Sequence, residues 1–177
     1  MNKLLSFALA AALCAPAFAQ KMGSTNTNAP ALKQSIMAGD AKMSLDYTSI
    51  TWADGKMMAR LTDKENGAKA RERFNGAGPN APLATFSTSI DCTCGDAKLA
   101  AGDYQVYFTI ADDLGWNLNF KQGDKVTTTK LKLDAAEHES KRLMMCLYAE
   151  DAGAGAYLAF GKMSGMISFA PAKKEGK

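Results

Sequence analysis

The chain has 177 residues, 47% of them hydrophobic and 22% charged. That suffices for one globular domain, is too little for two comfortable ones, and excludes disorder and collagen-like repeats. Twenty-one basic residues against 18 acidic ones leave a formal charge of +3 with the signs interspersed, not the basic stripe of a nucleic-acid binder, and the single histidine excludes any mechanism that needs two imidazoles.

The first nineteen residues read as an export leader. Lys3 is a minimal positive n-region, Leu4 to Ala12 is apolar, Pro16 breaks the run, and Ala17-Phe18-Ala19 fits the small-x-small cleavage rule. Cleavage is expected between Ala19 and Gln20. A membrane span needs about 20 apolar residues, and Leu4 to Ala19 is shorter and interrupted by proline. Cys14 follows Leu13, not the small residue a lipoprotein site wants, so it is expected to leave with the leader. The mature protein is therefore expected to be periplasmic or secreted, without a membrane span. Residues 20–35 are expected to form a flexible linker, because Gln20 to Ala31 is rich in Ser, Thr, Asn and Gly. The folded domain is expected over 36–170 and a frayed polar tail over 171–177.

Within the domain, segments alternate with period two. Met43 to Trp52 and Leu83 to Cys94 are the first strand candidates. Between them, Ala53-Asp54-Gly55 has the chemistry of a hairpin tip. Asp63 to Asn80 is expected as a long crossover, with a helical turn over Ala68 to Phe74 and a loop over Asn75 to Asn80. Tyr104, Val106, Phe108 and Ile110 then share one face, with Gln105, Tyr107 and Thr109 on the other. Trp116, Leu118 and Phe120 alternate with Asn117, Asn119 and Lys121; Thr127, Thr129, Leu131 and Leu133 oppose Val126, Thr128, Lys130 and Lys132. Gln122-Gly123-Asp124 is a second hairpin tip. Arg142 to Ala149, Ala156 to Phe160 and Gly165 to Phe169 complete a set of about eight strands. Strands at roughly ten-residue spacing with uneven connections predict an all-β fold, an antiparallel β-sandwich.

The stretch Asp91 to Phe108, followed by Trp116-Asn117-Leu118-Asn119-Phe120, resembles the secreted bacterial family known as domain of unknown function 2911. The likeness rests on a strand, a turn, the step Leu99-Ala100-Ala101-Gly102-Asp103-Tyr104, and a W-x-(aliphatic)-x-F strand. It extends from about Ile36 to Ala170 and is specific in the middle. The family's Y-S-R-P element stands here as Tyr47-Thr48-Ser49-Ile50, its tryptophan-arginine-glycine-alanine-asparagine element loosely as Arg73 to Ala77, and a C-terminal tryptophan as Phe160. The resemblance implies a β-rich exported domain, and the family has no established activity to transfer. Independently of it, Gly102 allows a positive φ in the turn, and Leu99 packs beneath it.

Three cysteines remain after cleavage, Cys92, Cys94 and Cys146. An odd number implies an unpaired thiol or an intermolecular bond. Cys92 and Cys94 share a strand face with Phe86 and Ile90, so that face is expected to point inward. A bridge from Cys94 to Cys146 is one possibility, worth about 4 kcal/mol by loop entropy. Alternation argues against it if Leu143, Met145 and Leu147 form the core face, because Cys146 then points away. A soft-metal site is the alternative: Cys92 and Cys94, helped by some of the ten methionines, as Cu(I) ligands. Zinc would want two further N or S ligands at ligand spacing. His138, between Glu137 and Glu139, reads as a solvated loop residue, and Asp112-Asp113 and Glu150-Asp151 as turn acids. Tyr107 and Tyr148 are expected on outer faces, as a ligand or partner surface or under a loop. No nucleophile or oxyanion motif accompanies these residues. The expected function is non-catalytic and cofactor-free: a binding or structural module of the cell envelope with an envelope protein or small ligand as partner, the alternative being a periplasmic Cu(I)-binding protein.

Overall fold

The computed structural model describes residues 29–51 and 55–172. The expected leader, Cys14, most of the expected linker, Trp52 and residues 173–177 of the tail lie outside them. Strands β1 (Ala31–Ala38) and β2 (Ala41–Thr48) form a hairpin. Helices α1 (Lys56–Leu61) and α2 (Ala68–Ala77) and a 3-10 turn (Gly78–Asn80) then cross to β3 (Ala84–Thr88). Next come β4 (Cys92–Cys94), β5 (Ala97–Leu99), β6 (Gly102–Ile110), β7 (Trp116–Gln122) and β8 (Lys125–Leu131). Two long strands, β9 (Asp134–Glu150) and β10 (Gly153–Pro171), finish the domain. One sheet has the order β1-β2-β3-β6-β7-β8 and the other β5-β4-β10-β9, with antiparallel pairing throughout. The fold is the expected all-β sandwich.

Among the described residues its strands number ten, against about eight expected. The segment expected as linker to residue 35 contributes β1 from Ala31. Its inward row is Leu32, Gln34 and Ile36, opposite Tyr47, Leu45 and Met43, and the central polar Gln34 hides the alternation. Leu83 to Cys94 divides, because the chain leaves one sheet after Thr88 and enters the other at Cys92. Of the expected hairpin tip, Ala53 and Asp54 lie outside the described residues, and Gly55 holds φ +71 and leads into α1, not into a strand. His138 lies within β9, not in a loop.

β10 carries the two last expected strands in one element. Nineteen straight residues would reach about 60 Å, yet a Cβ built on Gly153 would lie 2.1 Å from the carbonyl oxygen of Phe169. The strand therefore folds back on itself. The reversal sits at Gly161, which holds φ +60 where the register against β9 slips. Only glycine takes that φ without strain, and only a residue without a side chain fits at Gly153.

The core lies between the sheets. Phe86 of β3 stacks on Phe169 of β10 with centroids 4.5 Å apart, and Phe120 of β7 meets both edge-on at 5.9 and 6.2 Å. Tyr104 of β6 adds a fourth ring, its hydroxyl donating to the Ala100 carbonyl at 2.7 Å. Leu143, Met145 and Leu147 of β9 are buried, as the alternation predicts.

Amide side chains seal the exposed strand edges. Gln34 donates to the Met145 carbonyl at 2.6 Å and accepts from the Leu147 amide at 2.8 Å, joining β1 to the rim of the second sheet. Asn75 of α2 makes the same two-way pair with the backbone of Ile110, at 2.9 Å each way, beyond the last β3 partner of β6. In both places an amide stands where a strand would be, satisfying backbone groups that burial would otherwise penalise.

Two outcomes follow. Phe169→Ala should cost about 3–5 kcal/mol in urea unfolding, the range for removing a buried aromatic, with an unchanged m-value. Gln34→Glu keeps the acceptor and loses the donor, so it should cost about 1–3 kcal/mol at pH 7, and hydrogen exchange at the Leu147 amide should quicken.

Candidate functional site

A groove of about 760 Å³ opens at one end of the sandwich. Three strand termini converge there: the start of β4, the end of β5 and the end of β10. The register builds two rows across them. Lys98, Thr93 and Ala170 form one, and Leu99, Cys92 and Pro171 the next. Lys125, at the start of β8, comes from the other sheet. Asp91 stands at the mouth, and its Oδ1 accepts the Ala101 amide at 2.8 Å. The Ala172 amide donates to the Asp91 carbonyl at 2.9 Å, tying the end of β10 to the start of β4. The groove thus has an apolar wall, two amines and one tethered carboxylate.

Gly102 holds φ +144 in the turn that follows, and Leu99 beneath it is buried, as the sequence implies. None of the lysines or Pro171 stands out in sequence. Lys98 and Lys125 meet only through strand pairing, and each alone reads as a solvated strand residue.

Cys92 and Cys94 point inward and are almost wholly buried. Burial pushes the Cys94 thiol up to about 12, and the neighbouring Cys92 adds to the shift. Burial also raises Cys92, while a hydrogen bond with Thr88 pulls the other way. Both are neutral thiols at pH 7, whereas a metal ligand must be a thiolate. Among the described residues no group of three or more His, Cys, Asp or Glu is placed to hold a metal ion. A Cu(I) ion there would have to displace protons that the surroundings hold firmly.

The possible Cys94–Cys146 bridge is not formed, and all three described cysteines are free thiols. β10 lies between β4 and β9. Cys94 lies opposite Phe169 of β10 and Cys146 opposite Tyr157, so the two cysteines flank different stretches of that strand. Cys146 also faces outward.

Tyr107 and Tyr148 do not share a surface. Tyr107 lies on the outer side of β6 but is only 4% exposed. The 3-10 turn covers it so closely that a Cβ on Gly78 would come within 2.4 Å of its ring. Behind it, Asn119 donates to the Tyr107 carbonyl at 3.3 Å and to the Thr109 hydroxyl at 3.0 Å, and accepts from Thr128 at 2.8 Å. Tyr107 is therefore part of a covered polar layer and not a partner face. Tyr148 belongs to the other sheet, half-buried over Gly155, with its hydroxyl 3.7 Å from the Met166 sulfur.

The crossover from Asp63 to Asn80 is packed. Phe74 meets Trp116 edge-on at 6.2 Å. Arg71 is buried, and its Nη1 donates to the carbonyls of Leu61 and Asp63 at 3.0 and 2.9 Å, closing the end of α1. Asp63 accepts the amides of Glu65 and Asn66 at 2.9 Å each. The Asn66 bond above all holds its carboxyl below the usual range. Asp113 accepts the Gly115 amide and Glu150 the Ser168 hydroxyl, so these acids are engaged in local structure. His138 is exposed beside Glu137 on β9.

No family model, curated protein or solved structure matches the chain. Among the described residues, no helix is long and apolar enough to cross a membrane.

The thiols give a direct check. In the native protein at pH 8, iodoacetamide should label Cys146 within minutes and leave Cys92 and Cys94 untouched until denaturant is added, as read by peptide mass spectrometry. The sign of their pH effect also follows. A thiol near 9 when unfolded and near 12 when folded favours unfolding as pH rises above 9. Cys94→Ala should therefore flatten the alkaline loss of stability between pH 9 and 12, measured by urea titration.

Proposed function

We propose that this protein is an exported, non-catalytic β-sandwich of the cell envelope, periplasmic or secreted, that binds a small ligand in the groove between β4, β5, β10 and Lys125. The observation that carries this reading is the groove itself. Its volume of about 760 Å³ is that of a ligand site, and an apolar wall with a few polar groups is the usual lining of one. Export is supported by Lys3, the apolar run after it, and the Ala17-Phe18-Ala19 signature. The likeness of Asp91 to Phe120 to the secreted family named above points the same way, and membership of that family belongs to the proposal.

Expression of the full chain in a bacterium with a periplasm should yield a soluble product that begins at Gln20 by intact mass. Uncleaved chain held in the membrane would overturn the export reading. Ala170 is exposed on the groove wall, so Ala170→Trp fills the groove and leaves the core alone. Small-molecule extract from the envelope should raise the Tm of the mature wild type, because a ligand that prefers the folded state stabilises it. It should leave the Tm of Ala170→Trp unchanged. Equal shifts in both proteins would place the ligand elsewhere.

A further inference from the structure

We infer that the ligand of this groove is a free alkyl carboxylate: one acid head held by Lys98 and Lys125, and a hydrocarbon body laid on Ala100, Ala170 and Pro171. The inference rests on the groove being the binding site. Lys98 comes from β5 and Lys125 from the other sheet, so the two amines flank the opening. Among the described residues neither takes part in an ion pair. The one acid in the lining, Asp91, is tethered by the Ala101 amide. Two cations against one fixed anion leave the groove with a single positive charge. That balance complements a monoanion; a cationic or neutral head gains nothing from it. Beside an apolar wall the attraction is screened less than in open water. The wall itself offers the exposed methyl groups of Ala100, Ala170 and Ala172 and the pyrrolidine of Pro171, with the Thr93 hydroxyl as its polar side chain, 3.5 Å from the Ala170 carbonyl. Such a surface rewards hydrocarbon burial and gives a sugar or a nucleobase few partners.

The test uses three ten-carbon probes below their micelle-forming concentrations: decanoate, decanol and decyltrimethylammonium. Each is titrated calorimetrically into the mature protein. Decanoate should bind at least tenfold more tightly than decanol, and decyltrimethylammonium should not bind. Lys98→Ala/Lys125→Ala should weaken decanoate tenfold or more and leave decanol unchanged, while Lys98→Arg/Lys125→Arg should keep decanoate. Both lysines are exposed, and circular dichroism checks that each variant is folded. Equal affinity for decanoate and decanol, with both lost in Ala170→Trp, would overturn the acid-head assignment and leave the groove reading standing. Decanoate binding that survives Ala170→Trp would overturn the location. No binding by any probe would overturn the alkyl-carboxylate assignment, and the envelope-extract shift would then decide the groove reading separately.

Discussion

The packing of Phe86 against Phe169 is the contact on which the rest of the structure depends. It joins the middle of the larger sheet to the end of the last strand, and Phe120 closes on both rings from the side. Phe169 also sets the register of the second sheet, because it lies opposite Cys94. It reaches that place only because β10 reverses at Gly161 and its end passes against Gly153. One aromatic ring thus couples a local backbone requirement to closure of the sandwich. The groove inherits its shape from the same contact, since Ala170 and Pro171 are the residues that follow.

A sandwich made of two open sheets has four edge strands, each a hazard for association with other chains. Here β1 and β9 are joined through Gln34, and the Thr48 to Thr51 segment extends the seam. The Leu143 amide donates to the Ile50 carbonyl, and the Ser49 hydroxyl to the Leu143 carbonyl, both at 2.8 Å. Arg142 reaches the Ser49 carbonyl at 3.1 Å. On the opposite side β5 approaches β8, where a Cβ on Gly95 would touch the Thr129 hydroxyl. The stretch of β9 before that seam, Glu137 to Lys141, is charged, which discourages pairing with a second chain. The side chains that finish these edges are polar, so the seam is built from hydrogen bonds and the interior remains apolar.

Period two carries most of what was legible in the sequence. It places Tyr104, Val106, Phe108 and Ile110 on the core side, sends Leu143, Met145 and Leu147 inward, and turns Cys146 outward. It fails where a residue serves a partner far along the chain. Gln34 breaks the alternation of β1 because its amide stands in for a strand against β9. Tyr107 reads as an outer-face aromatic, and by alternation it is one, but the chain between β2 and β3 returns to cover it. Gly78 is the only trace of that cover in the sequence, and a glycine beside Pro79 reads as an ordinary loop. The groove left no local trace. Lys98 and Lys125 are brought together by the meeting of two sheets, and strand order is the property that alternation does not encode.

Cys92 bears on the proposal that the groove binds a ligand and is not a reactive site. It belongs to the row that ends at the groove, between Leu99 and Pro171, but its thiol turns inward to the core and is almost wholly buried. A thiol acts as nucleophile or metal ligand through its thiolate. Lys98 and Lys125 would favour that form if they stood against the sulfur. Burial dominates instead, and Asp91, the nearer charge, pushes in the same direction. The amines therefore act outward on whatever enters the groove, and the sulfur behaves as a small apolar atom of the core behind it. Cations at the rim and a neutral floor are what an acid with a hydrocarbon tail requires, because the head keeps its charge near water while the tail loses contact with it.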